Sequence, residues 1–201
     1  QDPKVHKAKN EHVNDRILYD GERCILCSRC VRFSDEVSKT KQIGIEDRGD
    51  HSIVAFPKTH PYEDPYGDCI TDICPVGALT SKKFRFNARV WNLKSTEGVC
   101  YGCSRNCNVI VQTHNNRVHR VLPRYNGKIN QYWMCNSGRD LMTEHIMDFR
   151  IKAPSVKNSD GYQILDWEQS LTILSDFVKS STKALIIGSK NLSNEEWWAL
   201  K

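Results

Sequence analysis

Apolar and polar positions alternate most clearly in the middle of the chain. The stretch "NVIVQTHNNRVHRVLPR", residues 108–124, switches face at nearly every step and predicts a β-hairpin. Asn115 and Asn116 fall at its turn, where asparagine tolerates positive φ. A second hairpin is predicted for "IGIEDRGDHSIVAF", turning around Arg48-Gly49-Asp50, and a third for "APSVKNSDGYQILDW", turning at Asp160-Gly161. Short helices are expected in "VRFSDEVSK" and "CITDICPVGALT", the latter stopped by Pro75 and Gly77, and a longer one in "SGRDLMTEHIMDF". The loop "PYEDPYGD" precedes the second of these.

Toward the C-terminal end the period changes from two to 3.6. Trp167, Leu171, Leu174, Phe177 and Val178 share one helical face behind Asp166 as N-cap. "KALIIGS" then reads as a buried strand, and Ser193 with Glu196 as the capping box of a last helix. A helix, a buried strand and a helix in succession predict the opening of an α/β unit with a parallel sheet. Residues 1–20 lack a pattern and read as a connector. Because the chain opens without Met and stops inside a helical pattern, it is expected to be a piece of something longer.

Composition narrows the function classes. Hydrophobic residues make up 39% and charged residues 26% of the 201, as in a soluble globular protein. No apolar run approaches the ~20 residues of a membrane span. The net charge of +5 is densest at "KKFRFNAR", residues 82–89. That stretch has too few basic residues in one place for a phosphate track, and it reads as an amphipathic linker with a solvated basic side, not a nucleic-acid groove.

The nine cysteines change the picture most. They are clustered at two- and three-residue spacing with no secretory signal, which points to metal ligation, not to a disulfide framework. Cys24, Cys27 and Cys30 form C-x2-C-x2-C. One loop with this spacing can offer three thiolates to one 4Fe–4S cube, each to a different iron. Cys74 supplies the fourth, because Pro75 fixes φ, carries no N–H and turns the chain away. Zinc is the structural alternative, but it takes two pairs of ligands in a tetrahedron and leaves a third nearby thiol superfluous. The second set is Cys100, Cys103 and Cys107 (C-x2-C-x3-C) with Cys135. Its looser triplet makes a zinc ribbon a fairer rival, while the repeated three-plus-one arrangement favours a second 4Fe–4S cluster. Cys69 stands outside both sets. Counting back from Cys74 in the register of a two-cluster ferredoxin reaches Ile70, Gly67 and Asp64, so Cys69 reads as a small buried residue on a short helix. No nucleophile is paired with a base in a recognisable way, so no catalytic residue is assigned.

With both sites placed, "RCILCSRCVRF", "ICPVGALTSK", "VCYGCSRNCNVIV" and "RYNGKINQYWMCNSGR" resemble the large iron–sulfur subunit of bacterial NADH:quinone oxidoreductase, respiratory complex I. The resemblance covers nearly the whole chain and implies an α+β architecture. Residues 21–95 would be a ferredoxin-like 4Fe–4S domain and 96–150 a second, β-rich 4Fe–4S domain; 151–201 would begin a molybdopterin-oxidoreductase-like α/β domain. It further implies that Cys24, Cys27, Cys30 and Cys74 hold a cluster on the path from flavin to quinone. Cys100, Cys103, Cys107 and Cys135 would hold one lying off it. A 2Fe–2S and a further 4Fe–4S cluster would belong to a preceding region. The implied partners are the flavin- and NADH-binding subunit and the quinone-side iron–sulfur subunits. The implied place is the peripheral arm on the cytoplasmic side of the inner membrane, with membrane contact only through the complex. Formate dehydrogenases and related molybdoenzymes share the second motif. In them the last cysteine is followed by x-Lys-Gly, whereas Ser137 stands at that lysine position here.

Overall fold

The computed structural model describes residues 5–144, 151–183, 185–189 and 192–200. Two compact units divide the chain at Glu144/His145.

In the first unit, the short strands β1 (Glu11–His12) and β2 (Ile17–Tyr19) join β5 (Leu79–Ser81) in an antiparallel sheet of order β1-β2-β5. Tyr19 lies opposite Leu79. The expected connector is therefore part of the fold: Val13, Ile17 and Tyr19 are buried. Three apolar residues scattered among charges are too few to show a strand period, and only the partner β5 makes them one. The hairpin β3 (Gly44–Glu46) and β4 (Ile53–Ala55) forms as expected, with a 3₁₀ turn at Gly49–His51 between its strands. Helix α1 (Arg29–Arg32) runs on into a π-helical turn, Phe33–Val37. Helix α2 (Cys69–Ile73) stops at Cys74, whose ψ of 113° is the extended conformation that a following proline imposes. Around these elements pack Ile17, Tyr19, Phe33, Ile43, Val54, Tyr62, Ile70 and Leu79.

A second antiparallel sheet follows in the same unit: β6 (Lys94–Val99), β7 (Asn108–His114) and β8 (Arg117–Pro123). Asn115 and Asn116 have φ of 49° and 57°, the two positive values of a type I′ turn. Val109 and Val121 point into a small core with Cys100, Cys107, Met134 and Met142. Helix α3 (Asn136–Glu144) covers β8. The remainder of the helix expected to reach Phe149 lies outside the described residues.

The second unit holds the hairpin β9 (Ser155–Asn158) and β10 (Gly161–Ile164), helix α4 (Trp167–Ser180) and helix α5 (Asn194–Ala199). Gly161 pairs with Asn158, so the turn is Ser159-Asp160, one residue earlier than expected. Both helices begin where the sequence places them. Asp166 is the N-cap of α4, where Gln169 completes a capping box, and Ser193 with Glu196 forms the capping box of α5. The strand expected at "KALIIGS" is not formed among its described residues, where Leu185 is 87% and Ile187 88% exposed. An apolar run becomes a strand only when a neighbour accepts and donates its ladder hydrogen bonds, and no described strand lies alongside. The apolar face of α4 is likewise exposed.

Candidate metal centres

The sheet β1-β2-β5 explains how a cysteine at 74 meets a loop at 24–30. Tyr19 ends β2 and leads within five residues to Cys24, while Leu79 opens β5 five residues after Cys74. Pairing Tyr19 with Leu79, reinforced by the Asp20 N–H on Ala78 O at 2.8 Å, sets the two cysteine segments side by side. Cys24, Cys27, Cys30 and Cys74 then line one cavity. Its remaining wall includes Tyr19, Val54, Ile70, Val76, Ala78 and Leu79.

The loop itself is bent by Leu26 and Ser28, at φ 54° and 56°. Two left-handed residues flanking Cys27 curl the backbone around the cavity, a conformation that costs roughly 1–3 kcal/mol at each non-glycine position. Backbone N–H groups reach two of the sulfurs, Leu26 to Cys24 Sγ at 3.4 Å and Leu79 to Cys74 Sγ at 3.5 Å. Burial pushes the Cys30 thiol up to about 11, and neighbouring Cys24 and Cys27 add to the shift. Apolar side chains surround the first set unevenly. Phe33 is buried and Ile25 is 61% exposed, while Tyr19, Val54 and Leu79, all buried, line the site. None of the shielding residues outside the motif has a signal in the sequence, because their placement depends on strand pairing.

The second set sits on the connection between β6 and β7. Val99 pairs with Asn108, and the Cys100 N–H donates to Cys107 O at 2.8 Å, so residues 100–107 form a closed loop carrying three cysteines. Cys135 is returned to it by a clamp of hydrogen bonds from the fully buried Asn130. Its Oδ1 accepts the Asn108 N–H at 3.0 Å, and its Nδ2 donates to Arg124 O and Trp133 O, both at 3.2 Å. Burial raises the Cys100 and Cys107 thiols. Cys135 and Cys103 add to both shifts, a sign that the four sulfurs stand within electrostatic reach of one another. The Gly102 N–H donates to Cys100 Sγ at 3.5 Å and the Gly138 N–H to Cys135 Sγ at 3.4 Å. Cys103 is exposed.

Cys69 is buried in α2 and donates to Met134 O at 3.2 Å. His114 and His119 are half-buried on the hairpin, with ring centroids 6.1 Å apart. Among the described residues no three His, Cys, Asp or Glu side chains are placed to hold a single metal ion. A cubane makes no such demand, since each thiolate binds its own iron. The donor sets fit that group: four cysteines around a mostly apolar cavity in one case, and three on one loop with a fourth at the start of α3 in the other. N–H donors aim at sulfur in both.

A mixed helix-and-strand scaffold with a cavity lined by four cysteines points to the class of iron–sulfur proteins. Comparison with known proteins specifies which kind. Residues 14–80 match the family described as NADH-quinone oxidoreductase subunit 3, ferredoxin-like domain, and residues 93–145 the molybdopterin oxidoreductase Fe4S4 domain. One relative, a subunit of the NADH-quinone oxidoreductase of Streptomyces coelicolor, is 33% identical over 162 residues, 80% of this chain and 19% of that protein. The mitochondrial NADH dehydrogenase [ubiquinone] iron-sulfur protein 1 of Solanum tuberosum is 33% identical over 182 residues, 89% of this chain and 24% of that one. The mitochondrial NADH-ubiquinone oxidoreductase 78 kDa subunit of Candida albicans is 33% identical over 168 residues, 83% of this chain and 23% of the relative. The chain belongs to the family of large iron–sulfur subunits of NADH:quinone oxidoreductase. It spans less than a third of the length of these relatives.

Proposed function

We propose that this chain relays single electrons through two 4Fe–4S clusters as part of an NADH:quinone oxidoreductase. A bound 4Fe–4S cluster supplies one-electron chemistry, at a potential set by burial and by hydrogen bonds to its sulfurs. The protein's own contribution is ligation, shielding and donation. Cys24, Cys27, Cys30 and Cys74 hold the first cluster, and Cys100, Cys103, Cys107 and Cys135 the second. Tyr19, Val54 and Leu79 exclude water from the first, while the N–H groups of Leu26, Leu79, Gly102 and Gly138 stabilise charge on sulfur. The observation that carries the reading is the single cavity lined by four cysteines that come from two distant parts of the chain.

In this reading the partners are the flavin-binding and quinone-side subunits of the complex, in its peripheral arm. Among the described residues no helix is long and apolar enough to cross a membrane. Residues 151–201 are read as the opening of the α/β domain of this family, which the exposed apolar face of α4 supports. The match of residues 93–145 keeps the molybdoenzyme alternative in view; Ser137 in place of lysine disfavours it.

The test is a visible spectrum of anaerobically purified protein, with iron, acid-labile sulfide and zinc counted on the same sample. About eight irons and eight sulfides are expected. Colourless protein carrying about two zinc ions, with aerobic loss excluded, would end the electron-transfer reading. Cys27→Ala should abolish the electron paramagnetic resonance signal of the first cluster and unfold its loop, because metal binding and folding are coupled. A variant that kept both signals would remove Cys27 from the ligand set.

A further inference from the structure

Asn136 directly follows Cys135, and its backbone N–H and side-chain amide are committed to the N-cap of α2 and the loop that leads into it. Its N–H donates to Pro65 O at 2.8 Å, its Nδ2 to Asp64 O at 2.8 Å, and its Oδ1 accepts the Asp68 N–H at 3.0 Å. Asp68 is the N-cap residue of α2, yet its carboxylate caps nothing there and faces Arg16 instead. The cap-position N–H is thus satisfied by a side chain far along the chain. On the other side of Cys135, Met134 is fully buried and its carbonyl accepts from Cys69 Sγ in the first turn of the same helix. Cys135 is therefore held on one side by α2 and on the other by its N-cap and the loop before it, and α2 is the helix that ends at Cys74.

We propose that Asn136 is a positioning residue for the second cluster. It clamps Cys135 to α2, so that the second site takes its rigidity from the helix that delivers Cys74 to the first. The amide is suited to this because it donates and accepts at once; a carboxylate only accepts, and alanine does neither. The inference rests on the cluster reading above, and it concerns geometry only, since no Asn136 atom bonds to sulfur.

The experiment compares the full-length, cluster-loaded subunit with its Asn136→Ala and Asn136→Asp variants under anaerobic conditions. Cys27→Ala and Cys103→Ala assign the paramagnetic signals of the two clusters. Release of each cluster to an iron chelator is then followed by its own signal, alongside thermal unfolding. Asn136→Ala should speed loss of the second cluster about tenfold, as expected for two lost hydrogen bonds with their buried partners unpaired. It should also broaden or shift that cluster's g-values, while loss of the first changes less than about twofold. Asn136→Asp, which keeps the acceptor and loses the donor, should fall between. Equal acceleration of both clusters in step with a lower unfolding midpoint would reduce Asn136 to a general stabiliser and overturn the proposal, as would no change. A wild-type protein that assembles no cluster on the Cys100 set would instead sink the cluster reading beneath it.

Discussion

At Gly138 a β-carbon would lie 3.1 Å from Cys100 Sγ, 3.1 Å from Met134 Cε and 3.5 Å from Cys135 Sγ. The residue is needed for space, not for an unusual backbone angle. Gly138→Ala should therefore crowd the second site alone, at a cost of about 1–3 kcal/mol typical of overpacking. The expected result is a second-cluster iron content cut by more than half with the first unchanged, read by iron analysis and paramagnetic resonance. Retention of both clusters in full would show that the sulfurs sit farther from the helix than this contact implies. Single residues were also where the sequence was most informative. Both candidate quartets are read from spacing, and the conformation of Cys74 from the proline after it. The role of Gly138 had no such signal, because a glycine three residues after a cysteine is unremarked until the facing sulfur is in place.

Among the elements, the five-residue α2 ties several distant segments together. Besides the links through Asn136 and Cys69, Asp72 accepts from both Nη groups of Arg139 in α3. Arg139 is buried and also donates to Val121 O at 3.2 Å. Burial raises the Asp72 carboxyl, and the guanidinium works against that shift. Removing the cation leaves the acid uncompensated, so Arg139→Met should destabilise by about 3 kcal/mol. That is the low end for a buried pair, since a fifth of the Asp72 side chain remains exposed. The drop should appear as a lower urea midpoint. The double change Arg139→Met with Asp72→Leu should recover most of it, and a double variant as unstable as the single one would refute the pairing account. Elements with a long period or a local start signal were legible: the Asn-Asn hairpin and the N-caps of α4 and α5 formed as read. β1, β2 and the strand expected at residues 183–189, which does not form among its described residues, were misread for related reasons. A two- or three-residue strand has no period of its own, and an apolar run has no strand without a ladder partner.

Across the first unit, Asp140 of α3 binds Arg16 Nη1 at 2.6 Å and Lys83 Nζ at 2.7 Å, joining three distant segments. Burial would raise its carboxyl, but the two cations more than offset this and hold it below its ordinary 3.8. The folded-state value being the lower one, the contribution is present above about pH 4 and lost as pH falls through the folded value. Asp140→Asn should lower stability by about 1 kcal/mol, a modest figure because the group is partly exposed. The gap should be constant from about pH 5 to 8 and should close only in stronger acid, as measured by thermal melts. A gap that varied between pH 5 and 8 would assign the titration to another group. At this scale the division of information is plain. Cysteine spacing, the Cys-Pro step and the hairpin periods are local regularities, and local chemistry suffices to read them from one chain. That Tyr19 pairs with Leu79 to bring Cys74 to the Cys24 loop, that Asn136 caps a helix distant in sequence, and that Arg139 meets Asp72 depend on contacts between remote segments. Such contacts are selected by packing, burial and hydrogen-bond completion together, and they leave no periodic trace along the chain.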